Sequence, residues 1–212
     1  MIQIKKFIFN PIQVNTYVLY NEQKCFIIDP GCYFDSEYST LYEFIENNKL
    51  APIGIIATHF HFDHLMGCAR VAKKYNISLS GHAGYKLLFE HMDVQKQAQF
   101  FDFEMEKPPL PESELQEGEI LSLSNSKLKV IHVPGHSPCG IALYSEEGRF
   151  VITGDILFEG SVGRTDLYLG DMDLLIGGIK QKLLTLDKEI IVYPGHGDNT
   201  TIGKELQNNP FF

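Results

Sequence analysis

Short apolar runs separated by turn-forming residues dominate this chain. Ile2 to Phe9 and Val14 to Tyr20 are rich in β-branched and aromatic residues, and Cys25 to Ile28 is a short apolar run, so three strands are predicted before the turn Asp29-Pro30-Gly31. The spacing then changes. Leu41, Phe44 and Ile45 recur at helical intervals, with Asp35 or Ser36 as N-cap, which predicts a helix over 36–48. Ile53 to Ala57 reads as a strand that runs straight into Thr58-His59. Asp63 to Tyr75 reads as one helix with Leu65, Cys68, Ala69 and Ala72 on one face, Ile77 to Ser80 as a strand, and His82 to Phe101 as helical. Lys107-Pro108-Pro109-Leu110-Pro111 cannot lie inside a helix. Further on, Ile120 to Leu123 and Leu128 to Val133 form a hairpin pattern around Ser124-Asn125-Ser126. Ile141 to Tyr144 and Phe150 to Thr153 do the same around Glu146-Glu147-Gly148. Leu174 to Leu184 is helical in pattern, Ile190 to Tyr193 is the last strand, and a short helix follows from Thr201. Short strands with interspersed helices imply an α/β sandwich in which helices cover two packed sheets.

Composition narrows the class. A chain of 212 residues, 44% of them hydrophobic, can bury one good core, and one domain over 1–212 is expected. The 27 Asp and Glu outweigh 18 Lys and Arg, a net charge of −9, which argues against a nucleic-acid partner. No apolar run reaches the ~18 residues of a membrane span, and the first residues contain no apolar signal segment. Cys25, Cys32, Cys68 and Cys139 show no CxxC spacing, so free thiols in a reducing cytoplasm are expected.

Four predicted strands end in the same kind of chemistry. One runs into Thr58-His59-Phe60-His61-Phe62-Asp63-His64, one into Pro134-Gly135-His136, one into Gly154-Asp155, and one into Pro194-Gly195-His196. Strand ends on one edge of a sheet converge, and loops there host function. A lone His after Pro-Gly is usually a turn residue. The cluster from His59 to His64 is far more specific, because it packs four potential ligands into a sharp strand-to-helix transition. Imidazole and carboxylate without thiolate make a borderline-to-hard donor set that suits zinc, iron or manganese. His82, His91 and His132 lack this context and read as structural or solvent-facing.

These motifs resemble the metallo-β-lactamase superfamily, and within it the short, single-domain bacterial branch of glyoxalase II-like (hydroxyacylglutathione hydrolase-like) proteins. The resemblance runs from Asn15-Thr16-Tyr17 and Asp29-Pro30-Gly31 through His59 to His64, Gly135-His136-Ser137-Pro138 and Gly154-Asp155. It continues through Gly163-Arg164-Thr165-Asp166 and Gly170-Asp171 to Pro194-Gly195-His196-Gly197 and Asn209-Pro210-Phe211. It implies an αββα fold and two divalent metal ions, with zinc first and iron or manganese also fitting. His59, His61 and His136 would hold one metal, and Asp63, His64 and His196 the other. Asp155 would bridge them. Two departures stand out. The longer glyoxalase II form has a C-terminal helical region that helps hold glutathione, and here only residues 197–212 follow His196. Pro138-Cys139 replaces the usual Pro-Gly. Both bear on the thiol half of the substrate and neither on the metal ligands.

The resemblance implies hydrolysis of a small acyl thioester, such as S-lactoylglutathione or a related acyl thiol, by a hydroxide shared between two metals. Asp155 would set their spacing and Asp63 would orient the nucleophile. A thiolate leaves without strong acid help, whereas an amide nitrogen needs a proton. Arg164 and Tyr168 are candidate substrate residues, beside Phe62 and Phe158. For Arg164, pairing with Asp166 or Asp171 is the favoured reading over a substrate carboxylate. Other readings of the same residues are a one-iron persulfide dioxygenase using His59, His136 and Asp155, a lactonase or phosphodiester hydrolase, and a non-catalytic metal-binding scaffold.

Overall fold

The computed structural model describes residues Met1 to Phe212. Two six-stranded sheets form the centre. The first runs β1 (Gln3–Phe9), β2 (Val14–Asn21), β3 (Lys24–Ile28), β4 (Ala51–Ile56), β5 (Leu79–His82) and β6 (Ser113–Leu115) in that spatial order. The second contains β7 (Ile120–Leu123), β8 (Ser126–His132), β9 (Ile141–Ser145), β10 (Phe150–Gly154), β13 (Ile191–Pro194) and β14 (Thr200–Thr201), ordered β14-β13-β10-β9-β8-β7. A small hairpin, β11 (Leu157–Phe158) with β12 (Ser161–Val162), stands beside the second sheet. Helices α1 (Asp35–Asn47), α2 (Phe62–Leu65), α3 (Cys68–Tyr75), α4 (Tyr85–His91) and α5 (Val94–Phe100) belong to the first half, and α6 (Met172–Gly178) and α7 (Ile202–Asn208) to the second.

Pleat alternation explains the layering. In β2, Tyr17 and Leu19 point between the sheets, where they join Ile28, Ile56, Val130, Leu143 and Ile152. Val18 points the other way, into the layer that packs Ile27 and Ile55 against Leu41, Ile45, Leu65 and Val71 of the helices. The second sheet repeats the device. Ile152 faces inward, and Val151 faces Leu175, Ile179, Leu183 and Ile202. Strands covered on both faces read as continuous apolar runs with no polar alternation, which is the pattern of Tyr17 to Tyr20 and Phe150 to Ile152. The αββα architecture expected from the sequence is the one observed.

Two expected helices are each broken in two. The run 63–75 divides at Met66-Gly67 because the Gly67 N–H turns to the Pro30 carbonyl at 2.8 Å. The run 82–101 divides at Met92-Asp93, where the Asp93 carboxylate caps α5 by accepting from Lys96 N at 3.0 Å. The helix expected at 174–184 starts earlier, capped by Asp171, and its last turn, Ile179–Leu183, is π-helical. The four cysteines are free and buried. No helix is long and apolar enough to cross a membrane.

Strand β2 also fastens the loop after β13. Asn15 Nδ2 donates to the carbonyls of Pro194 and Gly197, both at 2.9 Å, and the Tyr17 hydroxyl donates to Pro194 O at 2.6 Å. Asn15→Ala removes one donor from each carbonyl, leaving Gly197 O to Lys6 Nζ at 2.8 Å and Pro194 O to the Tyr17 hydroxyl. We expect a loss of about 1–3 kcal/mol, read as a Tm lower by about 2–12 °C in thermal unfolding.

Candidate metal centre

Topology brings the polar strand ends together. β3 and β4 run parallel, so Asp29 and the segment from Thr58 emerge at the same edge. β8 and β10 both run antiparallel to β9, and β13 runs parallel to β10. The ends leading to His136, Asp155 and His196 therefore share one edge of the second sheet. The sheets meet there: Ile141 N donates to Thr58 O at 2.8 Å, and Asn15 N to Gly195 O at 2.7 Å. Two glycines permit the closeness. Gly154 has φ +49° and lies against the Thr58 side chain, and a Cβ on Gly195 would collide with the Asp155 carboxylate and His64.

All seven residues singled out in the sequence meet at this edge. His59, His61 and His136 form one group whose ligand atoms lie within 4.8 Å of one another, and Asp63, His64 and His196 form another. Asp155 stands between them. Its Oδ1 is 3.3 Å from His64 Nε2, and its Oδ2 is 3.6 Å from His196 Nε2 and 3.7 Å from His136 Nε2. Asp63 Oδ2 is 3.3 Å from His196 Nε2 and 3.7 Å from His64 Nε2.

Hydrogen bonds on the far side of the rings select one tautomer. Thr58 Oγ1 donates to Asp29 Oδ2 at 2.6 Å, so the hydroxyl is left to accept from His59 Nδ1 at 3.2 Å. His64 Nδ1 donates to Asp29 Oδ2 at 2.9 Å, and His136 Nδ1 to the Arg164 carbonyl at 2.8 Å. Each ring thus turns its Nε2 to the centre. The Nε2 atoms of His59, His64 and His136, with Asp155 Oδ1, are buried without a hydrogen-bond partner. Buried polar atoms rarely go unpaired, and four aimed at one small space fit cations. The donor set suits a divalent metal such as zinc, iron or manganese. Asp29 is also close to His59 and His64, but its oxygens are committed to Thr58 and His64. It orients ligands, a task that keeps ring geometry and basicity in order.

Electrostatics agree with this division. Burial, with His64 and His61 nearby, holds His59 well below the ordinary imidazole range, and burial beside His136 lowers His61 to about 3. Those rings are neutral, the metal-binding form. Burial also opposes charge on His64, but Asp155, Asp63 and Asp29 outweigh it and hold the ring well above the usual value. His196 is raised in the same way, burial being overcome by the hydrogen bond to Asp63. Burial would lift both carboxylates, yet His64 draws Asp155 well down and, with His196, lowers Asp63.

The site opens into a cavity of about 730 Å³, with His61, Asp63, His136, Asp155 and His196 at its floor. Arg164 lies at its rim, and its Nε and Nη2 fork onto Asp166 at 2.6 and 2.7 Å. The pairing with Asp166 is the arrangement found, and the Arg164 carbonyl is what holds His136. Tyr168, Phe62 and Phe158 also line the cavity. So does His91, expected to be structural or solvent-facing, which stacks on Tyr168 at 3.9 Å. His82 and His132 stack on each other at 3.7 Å away from the cavity. Asp29 is the residue that sequence reasoning missed. Its position at the end of β3, like the other site residues, was the available signal, but Asp-Pro-Gly also spells an ordinary turn.

Two outcomes follow for metal binding. Asp29→Asn puts an amide N–H against His64 or Thr58, and we expect affinity in chelator competition to fall about 10–100-fold with the far-UV spectrum unchanged. In the metal-free protein, neighbouring carboxylates raise the pKa values of His64 and His196, so protons compete with a metal for these rings. Affinity therefore rises with pH until both rings are deprotonated, and calorimetry in buffers of different ionisation enthalpy should detect proton release.

Comparison with known proteins agrees with the geometry. The family profile described as Metallo-beta-lactamase superfamily matches residues 9–196. Hydroxyacylglutathione hydrolase GloC of Haemophilus influenzae is 37% identical over 202 residues, which cover 94% of this chain and 92% of GloC. The crystal structure of BLEG-1 B3 metallo-beta-lactamase superposes with a TM-score of 0.88 at 33% identity, covering 99% of each chain. That of TTHA1623 in a di-iron-bound form gives 0.87 at 35% identity, covering 98% of this chain and 100% of the other. The chain belongs to the metallo-beta-lactamase superfamily, as one of its metallo-hydrolases.

Proposed function

We propose that this protein is a dinuclear metal-dependent hydrolase that cleaves a small acyl thioester, with S-lactoylglutathione or a related acyl thiol as the first substrate to test. The observation that carries the reading is the convergence of seven His and Asp side chains from four segments on one site, with the Nε2 atoms of His59, His64 and His136 and Asp155 Oδ1 buried there without a hydrogen-bond partner. His59, His61 and His136 would hold one metal and Asp63, His64 and His196 the other, with Asp155 between. The name of the GloC relative supports the thioester, and the di-iron form of TTHA1623 supports two metals.

Two bound divalent ions supply Lewis acidity toward a carbonyl oxygen and bring the pKa of a water molecule toward neutrality. The chain's own contribution is positional. Asp155 reaches both ligand groups. Asp63 stays ionised and faces the cavity, so it can take a hydrogen bond from the attacking water. His59 and His64 are held in register through Asp29 and Thr58. In the net reaction water adds its oxygen to the thioester carbonyl carbon, the C–S bond breaks, and the products are a carboxylate, a thiol and one proton released to solvent. A thiolate with a pKa near ~8.5 departs unprotonated, which asks nothing of the largely apolar wall. A one-iron site built on His59, His136 and Asp155 would leave Asp63, His196 and the Nε2 of His64 without a task.

The test is metal quantification beside activity on one preparation. Two metals per chain and turnover of S-lactoylglutathione or simpler acyl thioesters support the reading. A metal-replete protein inert toward all of them overturns it. Asp155→Asn should lower kcat/KM at least about 100-fold, equivalent to about 2.7 kcal/mol or more, and lower the metal content. Chelation should abolish activity and divalent metal should restore it.

A further inference from the structure

From the metal-ligand floor the cavity continues along a wall made mostly of carbon. The arm of α4, α5 and the residue after them supplies Leu88, Met92, Phe100 and Phe101, and hairpin β11–β12 supplies Phe158. The Phe101 ring stacks on Phe62, next to Asp63, with centroids 5.3 Å apart. Phe100 is 72% exposed and Phe101 49% exposed, so large apolar rings stand at the mouth uncovered by the protein. The His91–Tyr168 stack joins the arm to the loop that carries Arg164 and so bounds the opening.

Charge on this wall is scarce. Arg164 is the one guanidinium or ammonium among the lining residues, and both arms of its fork are on Asp166. A glutathione thioester brings two carboxylates and one ammonium. Carboxylates taken from water onto a wall without a free cation lose solvation that nothing replaces. An apolar acyl group, by contrast, fits a carbon-lined cavity of this size.

We propose that the cavity selects an apolar acyl thioester, with a medium-length or aromatic acyl group on an uncharged thiol arm. Leu88, Met92, Phe100, Phe101 and Phe158 form the acyl-binding wall. This inference rests on the thioester reading above and narrows it to the related acyl thiols, away from S-lactoylglutathione, whose acyl group is polar and whose thiol arm is charged. Burial of each methylene is worth about fourfold in affinity when fully realised, so even partial burial of six methylenes should be plain in kinetics.

The experiment compares kcat/KM of the metal-replete enzyme on N-acetylcysteamine thioesters from acetyl to octanoyl, on the benzoyl ester, and on acetyl- and octanoylglutathione. Binding of non-hydrolysable methylene-for-sulfur ketone analogues of the N-acetylcysteamine series is measured in parallel by calorimetry. We expect kcat/KM to rise at least about tenfold from acetyl to octanoyl, with glutathione giving no gain over N-acetylcysteamine at equal acyl length, and analogue affinity to follow the same order. The double variant Phe100→Ser, Phe101→Ser should shrink the octanoyl-to-acetyl ratio about fivefold in both measurements. A flat chain-length series in both turnover and binding overturns the proposal, as does a preference for the glutathione esters above tenfold. Chain-length-dependent binding without hydrolysis of any thioester overturns the thioester reading and leaves the apolar wall standing. A double variant with an unchanged ratio overturns the assignment of the wall.

Discussion

Asp29 closes β3 with a left-handed backbone, φ +48°, and its buried carboxylate takes hydrogen bonds from Thr58 N, Thr58 Oγ1 and His64 Nδ1. A carboxylate in that place has two consequences. It holds the first turn after β4 against the end of β3, so the segment from Thr58 to His64 leaves the sheet in one direction only. It also decides which nitrogen of His64 carries hydrogen and, through Thr58, which nitrogen of His59 does. Both rings then offer Nε2 to the same space. The metal centre is therefore built backwards from a carboxylate that binds no metal.

The second requirement is that two sheets bury apolar side chains on both faces. Charged and imidazole side chains find little room within such strands and gather where the strands stop. Because β8, β10 and β13 end at one edge, and β3 and β4 end opposite them, the strand-end residues of both sheets are forced into one cleft. Closure needs backbone rather than side chain at the seam, which is why Gly154 and Gly195 stand there. Asn15 and Tyr17 then tie the loop carrying His196 to the first sheet. Sheet packing and ligand convergence are thus one constraint seen at two scales.

The floor and wall of the cavity answer different questions. The floor is charged, buried and crowded with hydrogen bonds, and it defines the reaction class. The wall is carbon-rich and partly exposed, contributed by an arm that touches the centre at Phe62 and Phe101. The floor holds the residues of the superfamily motif, and the proposed choice of substrate would be made at the wall. A fold shared with a B3 metallo-beta-lactamase and a hydroxyacylglutathione hydrolase is what this separation permits.

The amino-acid sequence alone determined β1 to β4, β7 to β10 and β13, and the seven polar residues that follow their ends. Each is a local signal: apolar runs set strands, and dense His and Asp at a strand-to-helix junction have no common structural explanation. The two-layer cover of helices followed from the alternation of short strands with helices along the chain. What only the tertiary structure decided depends on partners far along the chain. The task of Asp29 needs Thr58 and His64, 29 and 35 residues away. The breaks at Met66-Gly67 and Met92-Asp93 interrupt runs whose periodicity continues through them, and Gly67 turns aside only because Pro30 is there to accept its N–H. Short strands such as β6 and β11–β12 carry too few residues for any periodicity. His91 acquires a place at the cavity only when the arm folds over to Tyr168. Patterns within one turn or one strand are written in the chain. Hydrogen bonds and stacks between distant segments exist only once packing has chosen which ends meet.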